Sequence, residues 1–128
     1  MIILLDTSTP VCKLSIINGD WTQEYSWQSD RGLAKGLLKY LDDKLKSVNK
    51  TWSDISAIGI FEGPGSFTGL RIGITVANTI ADAQNIPIVG GQGDDWKKDA
   101  LSKIYSGINE KIVLPFYGRG PNITVPRK

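Results

Sequence analysis

The sequence contains no histidine among its 128 residues and has a single cysteine, Cys12. Without histidine, the chain lacks the usual base of catalytic triads, the commonest metal ligand and the side chain that titrates near neutral pH. One cysteine excludes a disulfide within the chain, and its position in an alternating apolar segment predicts a buried thiol. Carboxylates, lysines and hydroxyls are therefore the groups left for catalysis.

An excess of one charge and a long apolar run are missing too. The 15 Lys and Arg residues and 13 Asp and Glu residues give a net charge of +2, which provides no global attraction to nucleic acid or a membrane surface. The apolar run at residues 2–5 is too short for a signal peptide or a membrane span. We therefore expect a cytoplasmic protein that does not associate with membranes. The basic residues near the end are expected to form a solvated tail, with an RNA contact as the alternative: Lys111, Arg119, Arg127 and Lys128.

Apolar periodicity predicts a mixed α/β domain. The predicted elements are strands at 2–5, 11–17 and 21–27, a helix beginning near residue 30, a strand at 55–61, a helix at about 68–83 and a strand at 87–89. Asn18-Gly19 predicts a hairpin, and Ser29 or Asp30 is expected to cap the first helix. That helix carries a leucine at every fourth position: Leu33, Leu37, Leu41 and Leu45. This order of elements is the ribonuclease-H-like arrangement, a mixed five-stranded sheet with helices packed on it.

The run from Gly63 to Gly73, Gly-Pro-Gly-Ser-Phe-Thr-Gly-Leu-Arg-Ile-Gly, is the most informative segment. Its four glycines and one proline require a sharp turn and a close approach of the backbone. Amides at the start of the following helix suggest an anion site. However, the run lacks the ending of a P-loop, and its third glycine comes one position late for the dinucleotide fingerprint. Phosphate contact is therefore a secondary hypothesis, and its candidate residues are Asp6, Thr7, Gly63, Gly65 and Ser66.

The helix after this run has no polar face. Small residues repeat along it at four-residue spacing, which allows another helix to approach closely. They are Gly69, Gly73, Ala77 and Ala81. We predict that this small-residue stripe forms a protein interface together with Leu70 and Ile80. The alternative is that the stripe packs inside the monomer, beneath the first helix.

Beyond residue 92 the pattern weakens, and we predict a boundary there between a domain at 1–92 and a short helix with an extended segment at 93–128. Asp94, Asp95 and Asp99 could suggest a metal cluster. Negative charge is also favourable at the start of a short helix, which explains the same residues without a ligand. We therefore predict no metal site.

Two segments together resemble a known family. Residues 3–8, Ile-Leu-Leu-Asp-Thr-Ser, resemble the first strand and phosphate turn of the actin/hexokinase-like ATPase superfamily. The run from Gly63 to Gly73 is similar, almost residue for residue, to the signature of the TsaB (YeaZ) family. The resemblance covers residues 1–90. It implies a single ribonuclease-H-like lobe and a part in making N6-threonylcarbamoyladenosine, the modified base next to the anticodon of tRNAs that read codons beginning with A.

The resemblance also implies a non-catalytic subunit, because TsaB-like proteins are degenerate relatives of the transferase TsaD and act by pairing with it. TsaD and the P-loop ATPase TsaE are then the expected partners, with a homodimer when TsaD is absent and with tRNA reached through the complex. No cofactor is expected on this chain alone, and ATP with Mg²⁺ is expected only at the level of the complex.

The chain departs from this family in length, because typical members carry a second subdomain. Residues 115–119, Pro-Phe-Tyr-Gly-Arg, resemble the segment that closes longer members. The resemblance therefore implies that residues 93–128 remain from a lost second subdomain.

Two other functions stay open. The first is an autonomous ATPase- or kinase-like domain, in which Asp6 would orient a metal–phosphate group and residues 63–69 would contact the nucleotide. A hydrogen bond from Asp6 to its own turn is the competing interpretation of that residue. The second is a tRNA-binding accessory module that uses Arg71 and the basic tail.

Overall fold

The computed structural model describes residues 1–117, which form one five-stranded sheet with three helices. The elements are β1 (Ile2–Asp6), β2 (Val11–Asn18), β3 (Trp21–Gln28), α1 (Leu33–Ser47), β4 (Ala57–Gly63), α2 (Phe67–Gln84), β5 (Ile88–Gln92) and α3 (Trp96–Tyr105). Every predicted strand and helix is present, with small shifts at the ends.

The strands lie in the order β3-β2-β1-β4-β5. The first three form an antiparallel meander, while β4 and β5 run parallel to β1. Gly19 occupies the predicted hairpin with a φ of 61°. Because parallel strands end at the same edge of a sheet, the turn after β1 meets the turn after β4 there. The predicted ribonuclease-H-like fold class is confirmed.

The two faces of the sheet carry different helices. Leu5 and Leu14 stand opposite each other in register on the face covered by α1 and α2. Leu4 points to the other face, where α3 packs on β4 and β5. Gly59 leaves room for that helix, because a Cβ there would lie only 3.1 Å from the Cβ of Ala100.

The first helix confirms its leucine pattern but not its predicted cap. The four leucines are buried, and each such side chain contributes about 1.5–3 kcal/mol to folding. Helix α1 begins at Leu33 after a 3₁₀ turn, so neither Ser29 nor Asp30 caps it. The hydroxyl of Ser29 donates to the carbonyl of Pro10 at 3.1 Å. The carboxylate of Asp30 accepts from Gln28 at 2.7 Å. The cap prediction is wrong because the two side chains form hydrogen bonds with Pro10 and Gln28, and not with the amides of α1.

Helix α3 begins beside the acidic residues, at the position where a short helix was predicted. Asp94 and Asp95 precede the helix and Asp99 lies in its first turn. Among residues 1–117, no group of three or more cysteine or carboxylate side chains is placed to hold a metal ion. Within the same residues, no helix has the length and apolarity needed to cross a membrane. Residues 118–128, including most of the basic tail, lie outside the described part of the chain.

Candidate functional site

The glycine-rich turn, residues 63–66, connects β4 to α2 and lies against the turn that follows β1. The amide of Ser66 donates to the carbonyl of Ser8 at 2.8 Å, and the Ser66 hydroxyl accepts from the amide of Gly69 at 3.3 Å. Gly65 is so close to Ser8 that a Cβ there would lie 2.5 Å from that of Ser8. Gly63 has a φ of 133°, which favours glycine. The glycines therefore allow close packing of backbone on backbone.

Asp6 and Thr7, two of the candidate phosphate residues, form local hydrogen bonds. The carboxylate of Asp6 accepts from the amide of Ser8 at 2.8 Å, which confirms the interpretation that it bonds its own turn. Thr7 is fully buried and donates its hydroxyl to the carbonyl of Gly69 at 2.7 Å. The Thr7 hydroxyl is therefore inaccessible to a phosphate. Phosphate contact by Gly63, Gly65 and Ser66 stays a prediction.

The small-residue stripe of α2 faces the sheet. A Cβ at Gly73 would overlap the side chain of Thr7, and a Cβ at Gly69 would overlap the Thr7 backbone. Four other predicted interface residues are buried in the hydrophobic core: Leu70, Ala77, Ile80 and Ala81. The stripe is thus part of the domain's own interior, where Gly69 and Gly73 pack on the turn after β1. An interface on α2 stays a prediction, and it has to use the opposite side of the helix.

That opposite side carries exposed polar residues at helical spacing, so the prediction that this helix has no polar face is wrong. Together with α1 it forms a shallow, partly apolar groove of about 360 Å³, which we call the α1/α2 groove. Its lining residues are Ala34, Thr68, Arg71, Ile72, Thr75 and Val76. Leu38 of α1 is exposed and lies one turn beyond Ala34 on the same side of the helix, because residues four apart share a helix face. This groove was not predicted from the sequence. The available signal was the pair Leu37-Leu38, which has one leucine more than the buried face uses.

Residues 108–117 run back from α3 along the free edge of β5, and we call them the C-terminal strap. The amide of Glu110 donates to the carbonyl of Ile88 at 2.9 Å, and the Glu110 carboxylate accepts from the amide of Gly90 at 2.6 Å. Lys103 donates to the carbonyl of Gly90 at 2.8 Å. These bonds satisfy the outward groups of β5, which would otherwise offer a template for pairing with another strand.

The strap then attaches to α2 and to the end of β4. The side-chain amide of Asn78 donates to the carbonyl of Val113 and accepts from its amide, both at 2.9 Å. The amide of Phe116 donates to the carbonyl of Glu62 at 2.8 Å. Tyr117 stacks on Phe67 with ring centroids 4.5 Å apart. These contacts were not predicted from the sequence, in which Asn78, a half-buried amide on α2, was the available signal.

The one thiol lies between the sheet and α1. Burial, and then the negative charge of Asp6, raise the pKa of Cys12 to about 12. Burial also raises the pKa of Tyr40 to about 12, with further contributions from Cys12 and Tyr25. Both groups are neutral at physiological pH, and a neutral buried thiol is not a nucleophile. The predicted burial of Cys12 is confirmed.

The sequence is similar to one protein family model and to several known proteins. The family model described as TsaD, tRNA N6-adenosine threonylcarbamoyltransferase, matches residues 28–91, which is half of the chain. The chain is 28% identical over 118 residues to the tRNA threonylcarbamoyladenosine biosynthesis protein TsaB of Escherichia coli strain K12, covering 87% of this chain and 51% of that protein. It is 46% identical over 50 residues to a tRNA N6-adenosine threonylcarbamoyltransferase of Bacillus thuringiensis, covering 39% of this chain and 15% of that protein.

Solved structures agree with the sequence matches. YeaZ from Pseudomonas aeruginosa is similar with a TM-score of 0.67 and 31% identity, covering 71% of this chain and 43% of that chain. A structure described as an uncharacterized protein with similarity to peptidase YEAZ, from the same organism, has a TM-score of 0.68 and 31% identity, covering 71% of this chain and 42% of that one. The chain spans about half the length of the curated relatives it matches.

Proposed function

Because the chain belongs to the TsaB/YeaZ family, we propose that it acts in tRNA threonylcarbamoyladenosine biosynthesis as a non-catalytic subunit that binds the transferase TsaD. The modified base would be N6-threonylcarbamoyladenosine, next to the anticodon of tRNAs that read codons beginning with A. The observation that supports this proposal best is the α1/α2 groove, an exposed and partly apolar surface within the segment that the transferase family model matches.

The groove lies within residues 28–91, the segment that the transferase family model matches. A transferase with corresponding helices presents a related surface, and two related surfaces can pack about an approximate twofold axis. Leu38, Ile72 and Val76 supply apolar contact area, while Thr68 and Thr75 are polar residues of the kind found at interface rims. The same geometry allows two copies of this chain to pair when the transferase is absent.

We propose no reaction step for this chain. Asp6 and Thr7 are engaged in hydrogen bonds that hold the turn after β1 against α2. Cys12 is held neutral, and the chain has no histidine to act as a base. We therefore propose that ATP and Mg²⁺ belong to the assembled complex, and that TsaE joins the complex as a further partner. These contacts favour a binding role over an autonomous ATPase.

Transfer RNA is proposed to be reached through the complex. The net charge of +2 offers little attraction to a polyanion. The guanidinium of Arg71 lies 5.5 Å from the ring centroid of Phe67 on the wall of the groove. That position places Arg71 in the surface proposed to bind protein, which leaves it unsuited to act as a separate site for RNA.

The test is co-purification with the TsaD of the same organism, followed by reconstitution of tRNA modification with TsaE and the enzyme that makes threonylcarbamoyl-adenylate. We expect a stable complex and modification that depends on this chain. Leu38→Asp should remove both. Tyr105→Asp is the matched control, because Tyr105 is also an exposed apolar residue but lies on α3, at the other face of the sheet. Modification at the same rate without this chain would contradict the proposal.

A further inference from the structure

We propose that the C-terminal strap forms a second wall of the surface that binds the transferase, an inference that rests on the proposed function. The strap alternates between buried and exposed apolar residues. Val113 is 2% exposed, whereas Ile112 is 68% and Leu114 is 70% exposed. Phe116, two residues further on, is 39% exposed. Large apolar side chains that are exposed close together along the chain favour an interaction surface.

The outward direction of this stripe follows from contacts on its inner side. Asn78 bonds both the amide and the carbonyl of Val113 at 2.9 Å, which fixes the backbone of the strap along α2. Successive residues of an extended segment point in opposite directions. Because Val113 is buried, Ile112 and Leu114 point to solvent. A surface that is already ordered before binding loses less conformational entropy when a partner arrives.

The strap is connected to the α1/α2 groove through aromatic contacts. At its end, Tyr117 stacks on Phe67 at the start of α2. The guanidinium of Arg71 lies over the ring of the same phenylalanine at 5.5 Å. Arg71 in turn lines the groove. The exposed side of α2 is therefore bordered by α1 on one side and by the strap on the other, so a partner seated on the groove meets the strap.

The position of the strap beside the groove proposed to bind TsaD favours the same partner for both surfaces. The transferase family model matches residues 28–91 and ends before the strap. The residues that line the groove thus lie inside the matched segment, while the strap lies outside it. We infer that Leu114 and Ile112 add contacts that tighten binding to TsaD beyond the pairing of the shared helices. A second copy of this chain is the competing occupant, and the experiment distinguishes it.

The experiment measures the dissociation constant of the full chain for the TsaD of the same organism by calorimetry. Leu114→Asp should raise it about tenfold or more, because a buried leucine contributes at least about the factor of ten that corresponds to 1.4 kcal/mol. Tyr105→Asp is the control, because its side chain is 70% exposed like that of Leu114 but lies on α3. It should change the constant by less than about twofold. Unfolding midpoints of both variants should equal that of the wild type.

Unchanged TsaD binding by Leu114→Asp would overturn the inference. If Leu38→Asp still weakens binding in that case, the proposed function stands and only the role of the strap is lost. If wild-type chain shows no binding to TsaD, both proposals fail. Light scattering without TsaD completes the test: a dimer broken by Leu114→Asp, with TsaD binding intact, would assign the strap to a second copy and overturn the inference too.

Discussion

Helix α2 has two long sides that differ in what they contact. The inner side consists largely of small residues and lies directly on the turn after β1, where Gly73 meets Thr7. The outer side carries Thr68, Arg71 and Thr75, and it borders the α1/α2 groove. Exposed polar residues at three- and four-residue spacing mark the outer side, so the sequence does separate the two sides. Small residues at four-residue spacing indicate a close approach, but they do not identify the element that approaches.

The two sides of the helix also differ in their expected roles, which are stability for the inner side and binding for the outer side. The inner side and the turn before it are joined to the residues after β1 by the Thr7–Gly69 and Ser66–Ser8 hydrogen bonds, so they contribute to the stability of the domain. The outer side makes few contacts within the described residues and is available for a partner. We therefore expect substitutions on the inner side to change stability and those on the outer side to change binding.

The largest expected effect is that of Gly73→Val on the inner side. Its new side chain would overlap Thr7 in a closely packed site, which we expect to destabilise the domain by about 3 kcal/mol or more. Thr75→Val, on the exposed outer side, should change the free energy of unfolding by less than about 0.5 kcal/mol. Urea unfolding measures both. A Gly73→Val variant that folds normally but no longer binds TsaD would show that the small-residue stripe is an interface after all.

A smaller effect is expected where the strap meets α2. Asn78→Ala removes two hydrogen bonds to Val113, each contributing about 0.5–1.5 kcal/mol. Amide exchange of Val113 should accelerate, and stability should fall by about 2 kcal/mol. Thr79→Ala, on the exposed neighbouring position, is the control and should leave Val113 protected. Equal exchange at Val113 in both variants would mean that Asn78 does not hold the strap.

Thr7→Val tests the inner side with almost no change in shape. The substitution removes the hydrogen bond to the carbonyl of Gly69, so we expect a loss of about 1 kcal/mol in the free energy of unfolding. The same substitution at Thr75 should cost less, because Thr75 is exposed. Equal costs at the two positions would remove the distinction drawn between the two sides of the helix.

The smallest effect concerns the other helix on the same face, where α1 covers Cys12. The pKa of this thiol is raised from 9.0 to about 12 by burial and by Asp6. Its contribution to stability is therefore complete below about pH 9 and is lost as the pH rises toward 12. The decline between these values should be shallower in Cys12→Ala. Alkylation at pH 8 should be slow in the native protein and fast in urea; rapid alkylation of native protein would contradict burial of the thiol.

Local patterns predicted most of the fold. The leucines of α1, the hairpin at Gly19 and the turn bond of Asp6 each depend on residues close together in the chain. The orientation of α2 was not predicted, because the small-residue stripe was interpreted as an interface although Thr68, Arg71 and Thr75 recur at the spacing that marks an exposed helix side. The strap depends on Asn78 and Val113, which are 35 residues apart, and no local pattern encodes that contact. The exposure of Leu38 was not predicted because its neighbours in the sequence are leucines of the core.

The central claim is that the outer sides of α1 and α2 bind TsaD. Amide hydrogen exchange of the full chain, with and without TsaD from the same organism, tests it most directly. We predict slower exchange in peptides that cover residues 34–45 and 68–79, with α3 unchanged. Slower exchange confined to α3 or β3, with α1 and α2 unaffected, would contradict the account.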